Sequence, residues 1–189
     1  GDFYCTTESN KTIILPRNAA GIPTGLTCKG IVFHIIDDFE TFKSTNDLND
    51  SNLNGYQEKH GLVVSTKKGN NFGTVAAADI EQAFIDGNVE KYTDTETSNG
   101  YKLTQILVGT ENLGFIALNN HTEKLNNSTA WYAPSFNELK YLIQGENTQT
   151  GSTSGQEYIN KQLKKINADE LAGTIPSVTF YLSLIHISE

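Results

Sequence analysis

The stretch that most constrains the fold is WYAPSFNELKYLIQG, residues 131–145, because it combines a helix start with one apolar face. Pro134 precedes Ser135, and Ser135 with Glu138 forms an S-x-x-E capping box, in which each side chain satisfies a backbone N–H of the first turn. Apolar residues then recur at helical spacing: Phe136, Leu139, Leu142 and Ile143. The pattern predicts a helix that begins at Ser135 and packs on a sheet.

The segments before and after this helix predict the rest of the order. Strands are expected at 12–15, 30–36 and 61–66, where β-branched residues are dense, with a polar surface loop at 44–55. Helical patterns follow: one that stops at Gly87, two at 100–109 and 110–121, and a last one with the stripe Ile159, Leu163 and Ile166. The closing stretch 172–181 predicts a turn and the start of a strand.

This order predicts an α+β fold with an antiparallel sheet and two to four helices. A chain of 189 residues with 37% hydrophobic content can bury one sizeable core, so we expect one domain over residues 1–181. Trp131, Phe136, Leu139 and Ile143 should pack against Ile31 and Phe33 of the second strand.

The composition of the chain limits which classes of partner it can bind and indicates its cellular location. A net charge of −8 argues against nucleic acid, because that partner requires clustered cations. The densest basic stretch, KQLKK at 161–165, is typical of a solvated helix face. Only 19% of residues are charged, as in a loop-rich extracellular protein. We expect no transmembrane segment and no cofactor, and the absence of Met suggests a cut N-terminus from which targeting cannot be read.

Cys5 and Cys28 are the two cysteines of the chain. In an extracellular compartment they could form one disulfide, and a loop of this length would contribute about 3 kcal/mol in the chain-entropy model. Two buried free thiols are an equal alternative, since cysteine is among the most often buried residue types. Neither cysteine has the spacing of a metal ligand or the setting of a nucleophile.

The remaining polar residues do not predict a catalytic or metal site. His34, Asp37, Asp38 and Glu40 in HIIDDFE resemble a metal cluster, but a solvated strand end explains them better, because Asp37 and Asp38 would face opposite ways on a strand. His60 and His121 stand apart from any nucleophile motif. Trp131 and Tyr132 could stack on a sugar ring, yet just before a capped helix we expect them in the core.

Five short motifs carry a resemblance to a known family: GDFY (1–4), CKGIVFH (28–34), HGLVV (60–64), GYKLTQIL (100–107) and WYAPSFNEL (131–139). Together the chain resembles the C-terminal domains of surface lipoproteins and fimbrillin-like proteins of gut Bacteroidota, which are similar to the Fibrobacter-type major paralogous domain. The resemblance implies a C-type-lectin-like fold. Its signature here comprises Trp131, Tyr132, Pro134, Ser135, Glu138 and Leu139.

The resemblance also implies a function and a location. We expect a non-enzymatic binding or adhesion module at the extracellular or outer-membrane surface, with a glycan or a protein as partner. An enzyme on the same fold is one alternative, with Cys5 and Cys28 or the His34 to Glu40 cluster as working groups. A purely structural fimbrial module is the other. The ligand-binding residues are not identifiable from the sequence.

The last residues, LSLIHISE at 182–189, depart from the family pattern. The family continues there with Tyr-Trp-Ser-Ser-Thr-Glu and a hairpin that completes the sheet, whereas this string resembles the translated end of a sequencing-library adapter. We therefore expect a non-native tail on a domain that lacks its last strands. Such a tail should be disordered or a loosely attached strand with few contacts to the core.

Overall fold

The chain adopts an α+β fold in which helices pack on an antiparallel sheet. This architecture comes from a computed structural model, which describes residues 1–48, 59–66, 77–89, 96–109, 128–145, 154–168, 170–171 and 182–187. The predicted α+β class is confirmed. The predicted elements at 110–121 and 172–181 lie outside the described residues.

Five strands form one sheet within the described residues, and every neighbouring pair is antiparallel. They are β1 (Phe3–Thr7), β2 (Thr12–Leu15), β3 (Leu26–Ile36), β4 (Lys59–Ser65) and β5 (Leu182–Ile187). The order across the sheet is β2-β1-β3-β4-β5, which places β3 in the centre. The three strands predicted at 12–15, 30–36 and 61–66 are confirmed, and β3 begins earlier than expected, at Leu26.

Five helices lie in the described part of the chain; two to four were expected for the fold, and four of the five match stretches that the sequence predicted as helical. They are α1 (Phe39–Thr45), α2 (Ala77–Asp86), α3 (Gly100–Gly109), α4 (Phe136–Gln144) and α5 (Ser154–Lys165). The additional helix is α1, which Asp38 caps by accepting a hydrogen bond from the Thr41 amide. None of the described helices is long and apolar enough to cross a bilayer.

The polar stretch predicted as a surface loop at 44–55 is partly wrong. Its first residues finish α1 and then turn inward, so that Asn46 and Leu48 are buried. The Asn46 amide donates to the carbonyl oxygens of Phe42 and Ser98, which connects the end of α1 to the segment before α3. Residues 49–55 lie outside the described chain.

The main core lies between one face of the sheet and the helix pair α4 and α5. The sheet contributes Phe3, Cys5, Ile31 and Val64, and the helices contribute Leu139, Leu142, Ile159 and Leu163. Phe33 packs against the edge of the same cluster. The amphipathic stripes predicted for α4 and α5 therefore cover the sheet, and the hydrophobic effect of burying these side chains holds the layers together.

Phe136 is the exception to the predicted α4 face, because 42% of its surface is exposed. The buried face of α4 is formed by Glu138, Leu139, Leu142 and Ile143. With 3.6 residues per turn, Phe136 lies roughly 90° from the centre of that face. The prediction that Phe136 is buried is therefore wrong, because burial of Glu138 turns the buried face of α4 away from Phe136. Lys140 Nζ lies 5.8 Å from the centroid of the exposed ring.

The C-terminal strand β5 is more closely attached than the sequence suggested. Its backbone pairs with β4 in a continuous register from Lys59↔Ile187 to Val64↔Leu182. The expectation of few contacts is therefore wrong for the backbone of this segment. Regular pairing requires only an extended chain with free amides and carbonyls, which an alternating β-branched and apolar sequence provides. The foreign origin of the segment stays a prediction.

Candidate functional site

The residues of 131–139 on which the resemblance rested form the buried start of α4. Trp131, Tyr132, Ser135 and Leu139 are buried, so the prediction that Trp131 and Tyr132 are core residues is confirmed. The Tyr132 ring packs edge-on against Tyr101, with centroids 5.8 Å apart and planes at 90°. Pro134 is half-buried ahead of the helix. This part of the chain organises the core and presents no ring to a ligand.

Glu138 is fully buried at the centre of this structure, and the predicted capping box is confirmed. Its Oε2 accepts a hydrogen bond from the Ser135 amide at 2.7 Å, and its Oε1 accepts one from the Tyr132 hydroxyl at 3.1 Å. The Gly100 amide, at the start of α3, also donates to this carboxylate. One side chain therefore joins the N-termini of α3 and α4.

Burial and hydrogen bonding act in opposite directions on this carboxyl group. Removal from water raises the pKa of Glu138 to about 7, although the bonds from Ser135, Tyr132 and Gly100 each lower it. Burial also raises the pKa of Tyr132 well above its usual value, and the nearby carboxylate raises it further. Because the Glu138 carboxyl group holds the starts of both α3 and α4, we infer that its role is structural.

A β-bulge in β3 builds the wall of a surface groove. The register with β4 passes from Val32↔Val63 to His34↔Leu62, so Phe33 is the extra residue. Consecutive strand residues normally point to opposite faces, but here both Phe33 and His34 lie beside Tyr141 of α4. The His34 and Tyr141 rings stack with centroids 4.1 Å apart and planes at 16°.

Two cavities meet at Tyr141, and we call the pair the Tyr141 groove. The first, the Tyr158 cavity, has a volume of about 540 Å³ and is lined by Arg17, Phe33, Tyr141 and Tyr158, together with Gly1, Gly145 and Gly155. The second, the Asp37 cavity, has a volume of about 360 Å³ and is lined by His34, Asp37, Asp38, Thr41, Glu96 and Tyr141. Both volumes are of the size that small ligands occupy.

The Tyr158 cavity carries a fixed cation at its rim. The Arg17 side chain is hydrogen-bonded to Tyr158, and this bond, with the nearby Asp2 charge, raises the pKa of the guanidinium. The Arg17 backbone is held in place from two sides: its amide donates to Asp2 Oδ1 at 2.9 Å, and its carbonyl accepts from Lys165 Nζ at 2.7 Å. The loop that presents this cation is thus anchored to the residue before β1 and to the last residue of α5.

Lys165 belongs to KQLKK, the stretch predicted to be a solvated helix face. Lys161 and Lys164 are exposed, and Lys164 pairs with Glu170 at 3.3 Å. Lys165 departs from the prediction because it is half-buried and bonded to backbone carbonyls of the Arg17 loop. The stretch has a packing role at its last residue.

The Asp37 cavity contains most of the acidic cluster that the sequence raised as a metal site. Asp37 and Asp38 line the same cavity, contrary to the expectation that they face opposite ways, because the strand ends at Ile36 and α1 begins at Phe39. Asp38 Oδ1 and Oδ2 accept bonds from Thr41 N and Oγ1 at 3.1 Å and 2.7 Å. Among the described residues no group of three His, Cys, Asp or Glu side chains could hold a metal ion.

His60, which the sequence analysis also considered, has a packing role. His60 is buried on β4 and stacks on Phe39 of α1, with centroids 3.5 Å apart. His121 lies outside the described residues.

The groove residues Arg17, Phe33, Tyr141 and Tyr158 were not predicted as a site. Tyr141 and Tyr158 lie outside the apolar stripes of α4 and α5, and that is the sequence signal that could have indicated them. A large aromatic side chain on the polar side of an amphipathic helix has no core to fill.

Comparison of the chain with protein-family models, with curated proteins and with solved structures gave no match.

Proposed function

We propose that this domain is a non-enzymatic binding module of a bacterial surface protein, with the Tyr141 groove as its ligand surface and a glycan as its ligand. The observation that carries the proposal is Tyr141 itself, a ring held by stacking on His34 and shared by two cavities. A ring that is already oriented loses little conformational freedom when a ligand stacks on it.

The surroundings of the ring suit a sugar. Phe33, Tyr141 and Tyr158 provide aromatic surface for the apolar face of a pyranose, while Arg17, Thr41 and Ser98 provide donors and acceptors for its hydroxyl groups. The sparsely charged composition and the resemblance to surface lipoproteins support an extracellular or outer-membrane location.

A glycan array followed by calorimetry tests the proposal, with the wild-type chain compared with Tyr141→Ala. We expect Tyr141→Ala to weaken binding by about tenfold or more, as loss of a stacking ring does. Phe136→Ala is the matched control, because Phe136 is an exposed ring on the same helix that lies outside the groove. Equal binding by Tyr141→Ala and wild type would reject the groove as the glycan site.

The same preparations separate the alternative functions. An enzyme of this fold would show turnover that Asp37→Ala or Cys28→Ala abolishes, and a structural fimbrial module would bind no glycan and would assemble with other subunits. A protein ligand would leave the array negative but would still require Tyr141. Each outcome replaces the glycan proposal with a different one.

A further inference from the structure

Cys5 and Cys28, which are far apart in the sequence, are direct partners across β1 and β3. Both side chains lie on the sheet face that packs against α4 and α5: Cys5 is a member of the main core, and Cys28 packs against its edge. The two thiols are hydrogen-bonded to each other. Strand register, which the sequence alone does not supply, thus brings the pair into contact.

We propose that Cys5 and Cys28 are an oxidisable pair that closes to a cross-strand disulfide, with Cys28 as the thiol that an external oxidant reaches first. Directly opposed residues of antiparallel strands have Cα atoms about 4.5–5.5 Å apart. That separation lies inside the range of about 4.4–6.8 Å that a disulfide accepts. The bond would therefore form without separating the strands.

The local backbone has room for the adjustment that the new bond requires. The register between β1 and β3 passes from Tyr4↔Gly30 to Cys5↔Cys28, so Lys29 is the extra residue of a bulge next to the pair. A bulge interrupts the ladder and increases the local twist. Closing the sulfur–sulfur bond would move the backbone at a position where pairing is already irregular.

Unequal exposure of the two thiols sets the order of reaction. Cys5 is fully buried, whereas Cys28 is half-buried and its Sγ lies 3.4 Å from the Gly30 carbonyl oxygen. A dissolved oxidant meets Cys28 first for that reason. The Cys5 thiol and burial both raise the pKa of Cys28, so the attack of Cys28 on the oxidant should accelerate as pH rises.

With a small disulfide such as oxidised glutathione as the oxidant, two exchange steps complete the reaction. The Cys28 thiolate attacks one sulfur of the small disulfide, forms a mixed disulfide and releases one thiolate. The Cys5 thiolate then attacks Cys28 Sγ, forms the Cys5–Cys28 bond and releases the second thiolate. The two protein thiols lose two electrons and two protons, and the oxidant becomes two thiols.

The folded chain, incubated with oxidised glutathione and analysed by intact mass, tests the proposal. We expect the wild type to lose two hydrogen atoms and both maleimide-reactive thiols, with no retained glutathione. Cys5→Ser should retain one glutathione on Cys28 because the resolving thiol is absent, and Cys28→Ser should stay unmodified because Cys5 is buried. A wild-type chain that retains glutathione, or stays reduced while its unfolded form oxidises, would overturn the proposal.

Tryptic mapping gives a readout that does not depend on the folding of either variant. Cleavage after Lys11, Arg17 and Lys29 places Cys5 in peptide 1–11 and Cys28 in peptide 18–29. The oxidised wild type should yield these peptides joined, and reduction should separate them. Their recovery only as free peptides or as glutathione adducts would also overturn the proposal, irrespective of whether the Tyr141 groove binds a glycan.

Discussion

At the start of α1, Asp38 accepts hydrogen bonds from the Thr41 hydroxyl and amide; at the start of α4, Glu138 accepts bonds from Ser135, Tyr132 and Gly100. The Thr41 bonds lower the pKa of Asp38, which is exposed. Burial raises the pKa of Glu138 to about 7 in spite of its bonds. Capping bonds therefore favour the charged carboxylate at both sites, but at Glu138 the cost of removing the charge from water outweighs them.

The largest effect that this comparison predicts is the cost of removing the buried cap. Glu138→Ala would leave the Tyr132 hydroxyl and the amides of Ser135 and Gly100 without their acceptor inside the protein. Because each unsatisfied buried donor costs about 1–3 kcal/mol, we expect a loss of roughly 3–5 kcal/mol in the free energy of unfolding. Urea denaturation followed by circular dichroism measures this difference.

Leu139→Ala is the control for Glu138→Ala, because Leu139 is the next residue on the same buried face. A large-to-small core substitution of this kind costs about 2–5 kcal/mol through the cavity that it leaves. Leu139→Ala should keep the pH dependence of stability that Glu138 causes, because a cavity does not titrate. Glu138→Ala should lose it. Stability of Glu138→Ala within error of wild type would refute the role of Glu138 in joining α3 and α4.

The second prediction is that stability decreases as pH rises between about 4.5 and 7. The folded pKa of Glu138 is about 7, above its ordinary 4.5, so the folded state holds the proton more tightly in this window. Protons stabilise the state that binds more of them; this contribution is complete below pH 4.5 and is lost as pH passes 7. Between pH 5 and pH 8 the free energy of unfolding should fall by about 2–3 kcal/mol, measured by urea denaturation at the two pH values.

Glu138→Gln isolates this contribution because glutamine has the same shape and does not ionise in this range. The decrease in stability between pH 5 and pH 8 should be smaller in the Gln variant than in the wild type. Equal pH dependence in the two proteins would assign the titration to another group.

The third prediction concerns the close approach of α3 to the buried cap. A Cβ atom on Gly100 would collide with Glu138 Oε2, and it would lie 2.6 Å from Ser135 N. Gly100→Ala should therefore destabilise the fold by about 1–3 kcal/mol, as overpacking does. Gly21→Ala is the control, since a Cβ there meets nothing within 4 Å. Thermal unfolding measures the difference. Equal melting temperatures for Gly100→Ala and Gly21→Ala would contradict the close approach of α3 to Glu138.

The smallest expected effect is that of Asp38→Ala at the exposed cap. Water can replace the carboxylate at the Thr41 amide, so the loss of stability should be smaller than for Glu138→Ala. The folded pKa of Asp38 is lowered, so its contribution is present above pH 4 and is lost as pH falls. The stability lost in Asp38→Ala should therefore become smaller as pH falls, whereas the pH-dependent contribution of Glu138 becomes smaller as pH rises. Parallel changes with pH in the two variants would contradict the comparison.

The helix caps at Asp38 and Glu138 also show which features could be predicted from the sequence and which could not. The capping box at Ser135 was predicted because its signal is local, four residues followed by an apolar stripe. The partners Tyr132 and Gly100 were not, since nothing in the spacing of residues 100 and 138 indicates contact. Helix α1 was missed because its seven residues include β-branched threonines and directly follow a strand, so the local preferences conflict.

The candidate site was the least predictable part of the molecule. Arg17, Phe33, Tyr141 and Tyr158 come from four separate segments, and the fold brings them together. The bulge at Phe33 depends on how β3 pairs with β4, which is a non-local property. Cys5 and Cys28 illustrate the same limit: composition allowed a bridge or two free thiols, and only the register placed them opposite each other.

The two bulges of β3 have a consequence for insertions and deletions. A one-residue deletion within a strand ordinarily turns every following side chain to the other face. Phe33 and Lys29 are the extra residues of these bulges, relative to β4 and β1 respectively, so β3 contains one residue more than the register with either partner uses. A chain without Phe33 could still pair with β4 throughout, but it would lose a wall of the groove and a side chain that packs against the main core. The groove therefore depends on a residue that the pairing of β3 with β4 does not require.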